Sequence, residues 1–268
     1  MKSTLIWIAA IMITVAAAMY QRITGPTYPQ KAIVVIDGTE YIFHLKRSQT
    51  NTHPCKIKLE VPESITGKLY FKRYNVNEEW TTVEMQHDEG KLSGELPSQP
   101  MAGKLQYYIT LASQNGQEVV IAKDNPVIIR FKGNVPAGVM LPHIIVIFFA
   151  MLFSNLAGIF AAFRSPRQKK YGVWAFWLLT VGGMILGPLV QKFAFGDYWT
   201  GVPFGWDLTD NKMLIAFIVW LVAMLMNRKK DRFAYTIIAS LIVLIVFSVP
   251  HSLFGSELNY ATGVVSQG

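Results

Sequence analysis

Residues 139–163 read VMLPHIIVIFFAMLFSNLAGIFAAF, without a single Asp, Glu, Lys or Arg. A helix that crosses a bilayer needs roughly 17–25 predominantly apolar residues, so this stretch is expected to be one. Three further apolar runs follow at 173–190, 213–226 and 233–249, and one precedes it at 5–20, LIWIAAIMITVAAAMY. The first run is short for a span. Its Ala16-Ala17-Ala18 ending suits a signal-peptidase site as well as the run suits a signal anchor. Both alternatives send the next segment outside.

The connectors set the orientation. RSPRQKK at 164–170 and NRKKDR at 227–232 are rich in bases and poor in acids. The positive-inside rule therefore puts both in the cytoplasm. By alternation, residues 21–138, the 191–212 loop and the tail from His251 lie on the outer face.

Composition agrees with a bilayer partner. Of 268 residues 51% are hydrophobic and 16% charged, against about a quarter charged in soluble domains, and the mean hydropathy is +0.30. The formal charge of +8 comes from basic residues flanking apolar runs, which points to lipid and not to nucleic acid. The one cysteine, Cys55, excludes an intramolecular disulfide, a CxxC redox pair and a cysteine-rich metal site. Phosphate-loop, zincin and nucleophile-elbow signatures are absent from the sequence.

Between about residues 31 and 131 the pattern changes to short alternating runs. Strands are expected at 32–36, 40–45, 57–61, 68–74, 81–85, 91–96, 105–111, 118–122 and 127–131. Asp37-Gly38, Asp88-Glu89-Gly90 and Asn115-Gly116 supply hairpin turns. So many short strands in about 100 residues suggest an immunoglobulin- or fibronectin-like sandwich, without the Cys…Trp…Cys signature. His44, His53 and His87 lie in this region, and His53 stands near Cys55 with no further ligand beside it. The expected organisation is a signal anchor or signal peptide at 1–22, an external sandwich at 23–136, and a four-helix transmembrane domain at 137–268 carrying the external loop 191–212. The fold class is thus an α-helical membrane bundle of four or five spans plus an all-β sandwich that serves to dock a protein partner.

Two histidines belong to the membrane half, each at the outer end of a helix: His143 in Leu141-Pro142-His143 and His251 in Pro250-His251-Ser252. Ionisable residues in apolar spans are functional candidates by default. Two neutral imidazoles at one depth on different helices match the axial positions of a haem iron. The alternative is that each ring reaches for interfacial water. On the same face lies FGDYWTGVPFGWDLTDNK at 195–212. Tyr198, Trp199, Phe204 and Trp206 offer stacking surfaces, unless they form an interfacial belt. Asp207 and Asp210 either belong to the site or cap the following helix. Lys192 and Lys212 suit haem propionates or lipid phosphates.

The runs Leu178-Leu179-Thr180-Val181-Gly182-Gly183, Gly187-Pro188-Leu189-Val190, Tyr198-Trp199 to Trp206-Asp207, and Leu214-Ile215 to Trp220-Leu221-Val222-Ala223 resemble the haem-handling membrane proteins of cytochrome c biogenesis. Those proteins carry a tryptophan-rich external loop, WGxxWxWDxxE, the WWD domain. The resemblance spans about residues 140–257. It implies that His143 and His251 ligate haem b while the loop, with Asp207 and Asp210 on the motif's acids, cradles it. It also implies a bacterial inner membrane with the site facing the periplasm. The leading WGxxW is not intact: Trp199 is shifted, Phe204 stands where a tryptophan is expected, and Lys212 replaces a later aromatic.

The expected function is haem binding or handling, in cytochrome assembly or as a b-type electron carrier, and not an enzyme with turnover. The alternative is a membrane-anchored interaction protein or accessory subunit without haem. A transporter is disfavoured by the lack of mid-span charges or a visible inverted repeat. No nucleophile–base spacing singles out an outer-face enzyme.

Overall fold

The computed structural model describes residues 2–250, 253 and 255–267. The chain divides into two compact units: residues 27–134 with 256–266, and residues 1–26 with 135–255 and 267–268.

The first unit is built of strands: β1 (Gln30–Ile36), β2 (Thr39–Leu45), β3 (Ser48–Thr50), β4 (Cys55–Leu59), β5 (Ile65–Arg73), β6 (Thr81–Glu84), β7 (Gln86–Asp88), β8 (Lys91–Leu96), β9 (Lys104–Ser113), β10 (Glu118–Ile121) and β11 (Val127–Lys132). β1 and β2 form a hairpin whose turn, Asp37-Gly38, has φ of 49° and 76°, the conformation that Asp-Gly turns favour. The largest sheet runs β3-β11-β9-β5-β6, with β10 paired to β9 beyond β11. β4, β8 and β7 make a second sheet. Inward residues alternate along the longer strands such as β1, β4 and β8, and those from the hairpin and both sheets meet in one core, including Ile36, Phe43, Ile57, Leu69, Leu92 and Ile129. Cys55 is part of that core, where burial pushes its thiol up. β3 and β7 are too short to show a period and escape a reading of the sequence alone.

The expected boundary at residue 137 left the whole tail with the helices. The structure instead groups Ser256–Ser266 with the strands. β12 (Ser256–Leu258) and β13 (Val265–Gln267) form a small ribbon, and the Leu258 amide donates to the Ala102 carbonyl at 3.1 Å. Lys104 bonds Glu257 at 2.6 Å in a nearly dry ion pair, and Asn75 donates to the same carboxylate at 2.8 Å. The Tyr260 hydroxyl lies 3.0 Å from both the Lys104 carbonyl and the Gln99 amide oxygen, under the Arg73 guanidinium.

The second unit is helical: α1 (Lys2–Ile23), α2 (Ala137–Ala162), α3 (Arg167–Leu179), a π-helical turn (Thr180–Leu186), α4 (Gly187–Phe195), α5 (Leu208–Met226) and α6 (Phe233–Ser248). α3, the π turn and α4 form one continuous rod. Among the described residues, Ser3–Ile23, Ala137–Ala162, Arg167–Phe195 and Leu208–Met226 are long and apolar enough to cross a membrane, and Phe233–Ser248 is apolar but shorter. α1, α5 and the rod formed by α3, the π turn and α4 outrun the apolar runs that announced them. The 164–170 connector shrinks because α3 starts at Arg167, and the 191–212 loop shrinks to residues 196–207. Charged residues continue a helix past its apolar part wherever the chain remains regular. α1 likewise extends beyond 5–20 to twenty-two residues.

Small residues let the helices approach. A Cβ on Gly158 of α2 would lie 2.3 Å from Ser240 Oγ and 2.6 Å from its Cβ, so turning the hydroxyl aside gives no relief. On α1, Ala10 and Thr14 are fully buried, and Asn155 of α2 donates to Thr14 Oγ1 at 2.9 Å.

Two predictions follow from these contacts. Gly158→Ala should cost about 1–3 kcal/mol by overpacking, read as a lowered thermal midpoint in detergent, and Ser240→Gly in the same chain should recover most of it. Burial pushes the Tyr260 hydroxyl up to about 12, so its contribution is whole below the ordinary value near 10 and drains away as pH rises through 12. Tyr260→Phe should flatten the loss of near-UV circular dichroism between those values; an unchanged slope would assign the loss to other groups.

Candidate functional site

The loop at residues 196–207 is held on the first turn of α5. Asp207 is the N-cap, its Oδ1 accepting from the amides of Thr209 at 2.8 Å and Asp210 at 3.1 Å. Asp210 turns back to the loop, and its Oδ2 accepts from the amides of Thr200 at 2.6 Å and Gly201 at 3.0 Å. Asn211 takes the next amide, Val202, at 2.8 Å. Gln191 of α4 donates to Thr200 Oγ1 at 2.6 Å, so the loop is tied to both flanking helices.

The glycines serve this close fit. A Cβ on Gly201 would meet Asp210 Cβ at 2.6 Å, and one on Gly205 would meet the Thr200 carbonyl at 2.4 Å. Gly201 thus makes room for the first turn of α5, and Gly205 for the loop's own backbone. Asp207 and Asp210 were candidate cofactor-binding residues, and the structure spends both on capping and loop amides.

The aromatics divide. Trp199 is half-buried and its indole N–H donates to the Val202 carbonyl at 3.1 Å. Phe204 and Trp206 stand out at 82% and 78% exposure, and Tyr198 is exposed as well. Lys192 is exposed, reaches the Gly196 carbonyl and lies over the Tyr198 ring at 5.2 Å. Lys212, expected at an anionic group, is only 4% exposed. Its ammonium donates to the Val249 carbonyl at 2.7 Å and lies 3.4 Å from that of Pro250, at the C-terminus of α6 where a cation is favoured.

His143 sits on the second turn of α2, partly buried, with Nδ1 2.9 Å from the Gly182 carbonyl in the π turn. A carbonyl only accepts, so Nδ1 carries the proton and Nε2 is left as a lone pair. The intended partner, His251, lies outside the described residues. The chain immediately before it is held at Val249 and Pro250 by Lys212. Among the described residues, no group of three or more His, Cys, Asp or Glu side chains could hold a metal ion.

Gln191, Thr200 and Asn211 were missed because amides and hydroxyls carry no titratable or aromatic signal, although Asp-x-x-Asp before an apolar run hints at a cap. The Gly182 carbonyl left only the Gly182-Gly183 pair as a trace. No family model, curated protein or solved structure matches the chain.

Asp210→Ala strands the Thr200 and Gly201 amides and should cost about 1–3 kcal/mol. Protease cleavage within residues 196–207 should accelerate in that variant and less in Asn211→Ala, which strands one amide. Equal resistance in both variants and the parent would mean that other contacts hold the loop.

Proposed function

We propose that the chain is an integral membrane protein that binds or hands on haem at its outer face, where His143 and His251 would hold the group. The carrying observation is the Nδ1–H bond from His143 to the Gly182 carbonyl. Metal-bound histidines characteristically donate their second nitrogen to such an acceptor, which fixes the ring and leaves Nε2 for the metal. A haem b would be held here through His143 Nε2. Bound there, haem would supply one-electron chemistry or pass on intact, and the chain has no need of turnover.

The protein's own groups have separate tasks in this reading. His143 Nε2 offers the lone pair. Lys212 holds the backbone that leads into His251. Phe204 and Trp206, on a loop fixed by Asp207 and Asp210, give an apolar cover, with Trp199 bracing it. Lys192 is the exposed cation at the rim for an acidic edge.

The strand unit is read as an immunoglobulin- or fibronectin-like sandwich that docks a protein partner, and the compartment as the periplasmic side of a bacterial inner membrane. The tail supports the topology. Because Ser256–Leu258 bonds to the strand unit, residues 134 and 256 would share one side of the membrane, which would call for an even number of crossings between them. That number is four if α6, about 24 Å long at 1.5 Å per residue, is one of them. The resemblance to haem-handling proteins of cytochrome c biogenesis agrees with this placement.

A second reading, a membrane-anchored interaction protein without haem, is favoured by one observation: Asp207, Asp210, Asn211 and Lys212 are all engaged by the scaffold. An absorption spectrum after haemin reconstitution separates the two. A Soret band lost in both His143→Ala and His251→Ala supports the first reading. A colourless preparation, or a band that survives either substitution unchanged, supports the second.

A further inference from the structure

We propose that the π-helical turn Thr180–Leu186 is a positioning device for His143, fixing its imidazole in the Nδ1–H form with Nε2 turned out to receive a ligand. The identity of that ligand rests on the haem reading; the positioning does not.

The geometry is specific to this turn. His143, Val146 and Ile147 are spaced i, i+3 and i+4, and so share one face of α2. Gly182 lies against that face: a Cβ there would be 2.9 Å from Val146 Cγ1 and 3.0 Å from Ile147 Cδ1. The next residue, Gly183, faces the other way, where a Cβ would fall 2.1 Å from Met213 Sδ of α5. Two successive glycines thus let one turn wedge between two helices. The widened turn then sends the Gly187 amide back to the Gly182 carbonyl, five residues away. That oxygen has two lone pairs, so it accepts from Gly187 and from His143 together. The ring also rests near Gly187, whose added Cβ would lie 3.9 Å from His143 Cε1.

A histidine at this depth with only apolar neighbours would have no reason to prefer one tautomer. A carbonyl that can only accept removes the choice. Among the described residues, Nε2 has no hydrogen-bond partner, so the arrangement orients a nitrogen that the fold itself does not use.

The test is nitrogen NMR on the full chain, labelled with ¹⁵N-histidine, in detergent and without haem; His143→Ala identifies the signals. The parent should show a protonated Nδ1 and a bare Nε2. Gly182→Ala pushes the turn off α2 and should collapse the pair toward a mixture of tautomers. Adding Val146→Ala and Ile147→Ala to that variant makes room and should restore the parent signals. Haemin titration should show affinity about 10–100-fold weaker for Gly182→Ala than for the parent. A parent signal with the proton on Nε2 overturns the proposal whatever the variants do. So does an unchanged tautomer in a folded Gly182→Ala chain. If the parent has the stated tautomer and binds no haemin, the haem reading fails while the positioning stands.

Discussion

Inside a bilayer no water is at hand to complete a hydrogen bond, and each polar group left unpaired there costs several kcal/mol. The helical unit, four of whose described helices are long and apolar enough to cross a membrane, pairs such groups between helices. Asn155 reaches Thr14, which itself bonds back to the Ala10 carbonyl. Trp220 donates to Ser154 at 3.1 Å. Near the basic connectors, Gln168 of α3 joins Asn227 at the end of α5 and Thr236 of α6. At the other end Asp210 and Lys212 close the loop and the last helix. Such bonds fix helix register where apolar packing alone would permit sliding.

Against that background, His143 differs from its neighbours. One ring nitrogen is bonded within the fold, and among the described residues no bond reaches the other. The same accounting shows why the loop acids are poor evidence for a ligand: their oxygens are already counted in the fold. The exposed aromatics and the imidazole remain, and the functional reading is built on those groups.

How much of this was legible depends on what each residue signals. Alternation along β1, β2, β4, β5, β8 and β9, with Asp37-Gly38 marking a hairpin, exposed the strands because one face of each is buried. The apolar runs exposed the helices, though their ends were drawn too tightly at Arg167 and Leu208, where polar residues continue the helix. The aromatic loop was visible as a feature, but its charged residues had two readings, and spacing alone did not decide between a site and a cap. Asn211 and Gln191, neutral amides in a charged and aromatic neighbourhood, gave no warning. The π turn was hidden for a deeper reason. An i→i+5 bond is chosen by the neighbouring helices through contacts at Gly182 and Gly183, and no local period records it. The return of the tail to the strand unit was equally silent, since Glu257, Lys104 and Tyr260 meet only in three dimensions.

The central claim is that two imidazoles, one of them preset by a backbone carbonyl, take one iron between them. Electron paramagnetic resonance of the ferric, haem-loaded chain addresses this most directly. The account predicts a low-spin signal of the kind given by two nitrogen ligands. A signal that is wholly high-spin, as from haemin lodged without two axial nitrogens, would contradict it.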